Sequence, residues 1–195
     1  MEHFTFDIEK FKNRFGDVYA EYNIFFSKDY SKTTTYQIDD LVSSKINYIT
    51  KCYKSLKNDN VGNELSNTNW WIPIPVNTCI SDNDILNVVD IVLKFCKDKF
   101  CPYDINNSVI LQDIFYYLLG MFLYNERKHR NSGVVTSSSI DAMSISSQYS
   151  DFIIKYPLFN NFFGLQVYTL VKNYMSDIDL CSIKVIHNDS YNNSY

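Results

Sequence analysis

Apolar residues recur at helical spacing from the start of the chain. Across residues 7–22, Ile8, Phe11, Phe15, Val18 and Tyr19 fall three and four positions apart, with Glu9, Lys10, Lys12 and Arg14 between them. That spacing predicts a short amphipathic helix with Gly16 as its weak point. After an aromatic run at 22–26 and a turn-like stretch at 27–35, a second pattern follows: Ile38, Val42, Ile46, Ile49, Tyr53 and Leu56. It predicts a second, longer helix, and its acids (Asp39, Asp40) precede its bases (Lys51, Lys54, Lys57), as a helix dipole favours.

Residues 58–69 are rich in Asn, Asp and Ser and predict a solvated loop. In the following Trp70-Trp71-Ile72-Pro73-Ile74-Pro75, two prolines hold the backbone extended and bar it from a central strand. The Trp pair either seals the edge of the bundle or projects as a contact surface, and sealing is favoured because large aromatics are more often buried than displayed. Residues 58–80 thus stand as a loop insertion.

A third helix is marked by Ser81, with Asp84 three residues on as in a capping box. Ile85, Val88, Val89, Val92, Phe95, Cys96 and Phe100 supply its buried stripe and Pro102 its stop. A fourth helix over 108–129 is apolar nearly all round, which places it at the centre of a bundle. Its greasiest part, 114–124, is well short of the roughly twenty residues that span a bilayer.

At Gly133 the composition changes abruptly. Residues 133–149 are Ser- and Thr-rich with low helix propensity and predict an extended β-arm or hairpin in need of a partner strand. Val134, Val135, Thr136, Ile140, Met143 and Ile145 are its candidate inter-subunit residues. A last helix over 157–175 presents Phe162, Leu165, Val167, Tyr168, Leu170, Val171 and Tyr174 to the core. Beyond it, the tail 179–195 carries a short β-prone stretch and offers Leu180, Ile183, Val185, Ile186, Tyr191 and Tyr195 for docking on a partner. The expected fold is mainly α, a bundle of four to five helices over residues 1–178 with a β-arm and an extended C-terminal tail.

Composition supports a folded chain. Of 195 residues, 46% are apolar, with 16 Tyr and 14 Phe, and only 5 Gly and 4 Pro argue against a turn-dense barrel. A formal net charge of −4 gives no overall basic field for nucleic acid. The one basic concentration, Arg127, Lys128, His129 and Arg130, ends the apolar helix, where cations suit the dipole and keep the exit solvated. Arg127, Lys128 and Arg130 also stand as a candidate DNA-channel cluster, because a ring would repeat them many times.

Candidate chemistry is thin. Cys52, Cys79, Cys96, Cys101 and Cys181 are odd in number and include no CxxC pair, so reduced thiols are expected, with Cys52 and Cys96 acting as small hydrophobes on helix faces. Cys96, Cys101 and His129 make a poor metal set without a fourth ligand. His3, His129 and His187 lie in a terminus, a basic cluster and a tail, the serines at 137–139 have no nucleophile-elbow context, and each glycine is isolated. No catalytic residues, cofactor or metal are expected, and the first twelve residues do not resemble a targeting segment.

The order of segments resembles the head-tail adaptor proteins of tailed bacteriophages. Phe11-Lys12-Asn13-Arg14-Phe15 resembles that family's opening aromatic-basic helix, residues 38–50 its next helix, and residues 110–124 its apolar helix. The run Gly133-Val134-Val135-Thr136-Ser137-Ser138-Ser139-Ile140-Asp141-Ala142-Met143-Ser144-Ile145-Ser146 resembles its Val-Thr-Ser stretch and alternating strand, and Phe162-Phe163-Gly164-Leu165 its return to helix. Two departures are Asp141-Ala142, where a small residue or Gly is usual, and the insertion at 58–78. The resemblance implies a structural, non-enzymatic virion protein of the neck, assembled in the host cytoplasm as a homo-oligomeric ring of about twelve copies. Its partners would be the portal protein, through the C-terminal tail, and a stopper or tail-terminator protein below, with DNA passing through and no membrane contact. The alternatives are a head-closure or tail-completion protein, or a cytosolic helical interaction module.

Overall fold

Capping residues set the helix starts. The computed structural model describes residues 4–46, 49–101, 103–129 and 160–175. Asp7 caps α1 (Ile8–Glu21) by accepting from the Lys10 N–H at 3.0 Å, and the helix runs unbroken through Gly16. It ends in a Schellman turn: Asn23, at φ 56°, donates to the Ala20 carbonyl, and Ile24 donates to that of Tyr19. Ile24 thereby enters the core, and strand β1 (Phe25–Asp29) starts at the next residue.

The second predicted helix is a β-hairpin, and the chain is an α/β fold rather than a mainly α bundle. Strands β2 (Leu41–Ile46) and β3 (Ile49–Ser55) pair antiparallel, from Leu41 opposite Lys54 to Ile46 opposite Ile49. The misleading feature is arithmetic: apolar residues four apart, as at 38, 42 and 46 or 49 and 53, fit a strand period of two as well as a helix turn. The one spacing of three between these runs, Ile46 to Ile49, is the hairpin connection. β-Branched content favours strands: residues 41–50 include Val42, Ile46, Ile49 and Thr50, residue types that lose rotamer freedom in a helix and suit a pleated surface.

The Trp-Pro segment is strand β4 (Trp71–Ile74), at the edge of the sheet, where Pro73 faces Tyr53 of β3 and its missing donor costs no internal ladder bond. A 3₁₀ turn (Val76–Thr78) leads into β5 (Cys79–Ser81), which lies parallel to β1. The sheet order is β4-β3-β2-β1-β5, with β1 parallel to β2. Residues 58–80 are therefore more than a loop: they contribute two strands, and Asn60 is fully buried, bridging to Tyr36 through both backbone groups and to Ser55 Oγ through its amide at 3.0 Å.

Helix α2 (Asp82–Lys99) opens on the predicted capping box: Ser81 Oγ accepts from the Asp84 N–H, and the Asp84 carboxylate accepts from the Ser81 N–H. Helix α3 (Val109–His129) begins where Ser108 Oγ accepts from the Leu111 N–H, and α4 (Phe162–Tyr174) where Asn161 accepts from the Gly164 N–H. As its all-round apolar sequence predicts, α3 is central. Leu111, Ile114, Phe115, Leu118, Leu119, Met121 and Leu123 are all buried, with α1, α2 and α4 packed against it.

Two cores result. The larger gathers the four helices of the described residues with Ile24 and Ile80 of the sheet side. The smaller lies on the sheet face bearing Val42, Tyr53 and Trp71 and is closed by Tyr36, Tyr30, Leu65 and Trp70. Trp71 is buried in this small core on the sheet and not at the edge of the helices, where the Trp pair was expected: it is 1% exposed, its ring meets Tyr36 at 5.3 Å, and its Nε1 donates to the Asn63 carbonyl at 3.0 Å. Trp70 is half-buried under the Lys57 ammonium.

Gly120 fixes the closest approach in the larger core. Tyr19 of α1 donates to its carbonyl at 2.7 Å, and a Cβ at this position would stand 2.5 Å from the Phe163 ring of α4. Gly120→Ala should therefore destabilise the fold by about 1–3 kcal/mol, the usual cost of overpacking. Combining it with Phe163→Leu should cost less than the sum of the two single changes, as read from urea unfolding midpoints; strict additivity would show that the two residues do not share this space.

Candidate functional site

One polar cluster is buried where the two halves of the molecule meet. The larger core is otherwise lined by apolar side chains, so a charge there must be held by named partners. Arg127, on the last turns of α3, is 2% exposed. Its Nε donates to the Cys79 carbonyl of β5 at 2.7 Å, its Nη2 to Asp84 Oδ2 of α2 at 2.5 Å, and its Nη1 faces Glu126 Oε1 at 3.6 Å. Asp84 Oδ2 also accepts from Ser81 Oγ at 2.8 Å, so one carboxylate caps α2 and neutralises the guanidinium. This single side chain ties α3, α2 and β5 together.

Beside it lie two cysteines, Cys52 of β3 and Cys79 of β5, which come from strands that are not neighbours in the sheet. Both are buried, at 2% and 1% exposure. Interaction with the Cys52 thiol, helped by Ser27 and the nearby Arg127 charge, draws Cys79 below the usual thiol range, while the same interaction and burial raise Cys52 above it. By contrast, burial alone pushes Cys96 up to about 12, an inert core thiol, and Cys101 is exposed.

Cys52 also lines an open groove of about 540 Å³ along β3 and β4, whose walls include Lys51, Ile74, Val76 and Pro73. Among the described residues no group of three His, Cys, Asp or Glu side chains could hold a metal ion, and no helix is long and apolar enough to cross a membrane.

The residues singled out from sequence are placed unevenly. Of the basic cluster, Arg127 points inward to the seam, while Lys128 is exposed with its ammonium 5.8 Å from the Tyr22 and Tyr124 ring centroids. Arg130 lies outside the described residues, as do the arm (Val134, Val135, Thr136, Ile140, Met143, Ile145), the tail (Leu180, Ile183, Val185, Ile186, Tyr191, Tyr195) and Cys181. Cys52 and Cys96 are both buried as small hydrophobes would be, Cys52 on a strand instead of a helix.

Sequence reading missed the Arg127-Asp84 pair and the two cysteines beside it. A signal for the first was present: Arg127 stands four residues after Leu123 and seven after Gly120, on the buried stripe of α3. No sequence signal joins Cys52 to Cys79, because the placement of Cys52 depends on the hairpin. Comparison with protein-family models, with curated proteins and with solved structures returns no match. Function must be argued from the chain's own residues.

Removing one partner of a buried ion pair strands the other, at a cost of about 3–5 kcal/mol. Arg127→Met should lower unfolding stability by that order. Arg127→Lys should not restore it, since an ammonium cannot reach Asp84 and the Cys79 carbonyl with the same planar fork. Equal stability of Arg127→Lys and the native chain in urea titrations would contradict this assignment.

Proposed function

We propose that this chain is a structural subunit of a tailed-phage neck, a head-tail adaptor that forms a homo-oligomeric ring between the portal protein and a stopper or tail-terminator protein. The observation that carries the reading is the helical body. Stripped of the strands between α1 and α2, it keeps the order of the resembling family: an opening helix with Phe11 and Phe15 in the core, a central apolar helix, and a returning helix entered through Phe162-Phe163-Gly164. The departure is equally specific, since the stretch likened to a helix of that family carries strand Leu41–Ile46 and the start of strand Ile49–Ser55, paired antiparallel.

Surface chemistry supports assembly. Leu86 and Ile91 on α2, Val109 at the start of α3 and Tyr174 at the end of α4 are large apolar side chains more than half exposed or close to it. Exposed apolar side chains on the helical body suit the head-to-tail contacts of a closed ring, in which one patch meets a different one on the next copy. In this reading the virion neck is the protein's place, the host cytoplasm its site of assembly, and DNA passes through the ring without sequence recognition.

The test is assembly with the portal. Purified chain mixed with the portal protein encoded in the same genome should cosediment with it and appear in negative-stain images as an added ring of about twelve copies. A chain that stays monomeric at all concentrations and never joins the portal would overturn the proposal.

A further inference from the structure

A β-sheet ends in strands whose outward backbone groups can pair with another chain, so whatever occupies those groups sets whether the sheet can grow. In this chain the end strands are β4 and β5. At β5 the backbone groups are taken by partners outside the sheet. The Cys79 N–H donates to the Val76 carbonyl, the Cys79 carbonyl accepts from Arg127 Nε at 2.7 Å, and the Ser81 N–H donates to Asp84 Oδ2 at 2.9 Å. All three residues of the strand are buried. Arg127 therefore does more than pair with Asp84: it terminates the sheet at this end.

At the other end, β4 reaches the surface. Ile72, Pro73 and Pro75 are exposed, beside the groove along β3 and β4. The phase of the ladder shows which backbone groups face out. Leu56 donates to the Trp70 carbonyl at 2.9 Å, while the Ser55 N–H donates to Asp40 and its carbonyl accepts from Asp39, on the β2 side. Antiparallel pairing alternates, so with Ile72 opposite Lys54 and Ile74 opposite Cys52, residues 70, 72 and 74 turn towards β3 and residues 71, 73 and 75 turn away. None of these outward positions offers a free donor. Trp71 is buried and its N–H donates to the Asn67 carbonyl at 3.0 Å, and Pro73 and Pro75 have no N–H. The Pro75 carbonyl is taken as well, accepting from the Thr78 N–H at 3.0 Å. Moved by one residue, either proline would face β3 and remove a donor from that side; where they stand, they cost the ladder nothing and strip the edge of donors.

We propose that the sheet is closed to strand addition at both ends, by Arg127 at β5 and by Pro73 and Pro75 at β4, so that contacts between copies fall to the helical body. An added strand needs donors and acceptors in alternation. The exposed part of β4 offers it the Pro73 carbonyl and no N–H, and at β5 it meets groups already taken. The side chains left for assembly include Leu86, Ile91 and Val109 of α2 and α3, each at least half exposed. Closure of the edges goes beyond the neck reading, because it is a property of the free chain.

The experiment restores the missing donors. Pro73→Thr combined with Pro75→Thr, in the full chain without the portal, should fold with Trp71 still buried, since neither new N–H points into the ladder. It should then self-associate through paired β4 edges. Sedimentation velocity should give about twice the mass of the native chain at the same concentration, as two edges pair around a two-fold axis. Hydrogen exchange should show the amides of residues 73 and 75 slowed by about tenfold or more as the variant associates. A variant that sediments like the native chain at every concentration, or that associates while both amides exchange freely, would overturn the proposal. Should the double change prevent folding, Pro75→Thr alone, just beyond the last residue of β4, carries the same test with residue 75 as its reporter. Neck assembly is read separately, because a native chain that fails to join the portal leaves the β4 result standing.

Discussion

An α-helix with apolar residues on every face must be surrounded, and α3 imposes that demand on the rest of the chain. Its length sets how much cover is needed: α1 and α4 close on it at Gly120, α2 packs along it, and β1 and β5 present Phe26 and Ile80 to the same core. The aromatic content follows from the same constraint. Phe11, Phe15, Tyr19 and Phe163 meet edge-on or tilted at centroid separations of 5.1 to 6.4 Å, filling space between helices that smaller side chains would leave as voids.

The sheet answers a different constraint. Only β1 and β5 belong to the helical body; the hairpin and β4 extend beyond it and need cover of their own, which Trp71, Tyr36 and the Asn60-centred loop provide. Between the two cores runs the seam of Arg127, Asp84, Ser81, Cys79 and Cys52. A polar seam is directional where apolar contact is not, so it fixes the angle and register at which the β-region meets the helices.

Much of the helical body was legible in the sequence because its signals are local. Ser81 with Asp84, Ser108, the Phe11-Phe15-Tyr19 spacing and the all-round apolarity of residues 110–124 each act within a turn or two of themselves, and each element formed close to where they put it. The hairpin was illegible for the opposite reason: spacings of four satisfy both periods, and the choice is made by pairing with β1 and β4, which lie far away in sequence. Arg127 was read with its basic neighbours instead of with the stripe it occupies, and the placement of Cys52 could not be seen without the hairpin.

That division into two cores is the claim on which the account rests. Native-state hydrogen exchange at increasing urea tests it directly, because each amide reports the opening that exposes it. The account predicts that amides of α3 and the Ser81-Asp84 cap exchange only with global unfolding, while those of β3 and β4 open earlier, together, as one unit. Amides of β3 and β4 protected as long as those of α3, or the α2 cap opening along with the hairpin, would contradict it.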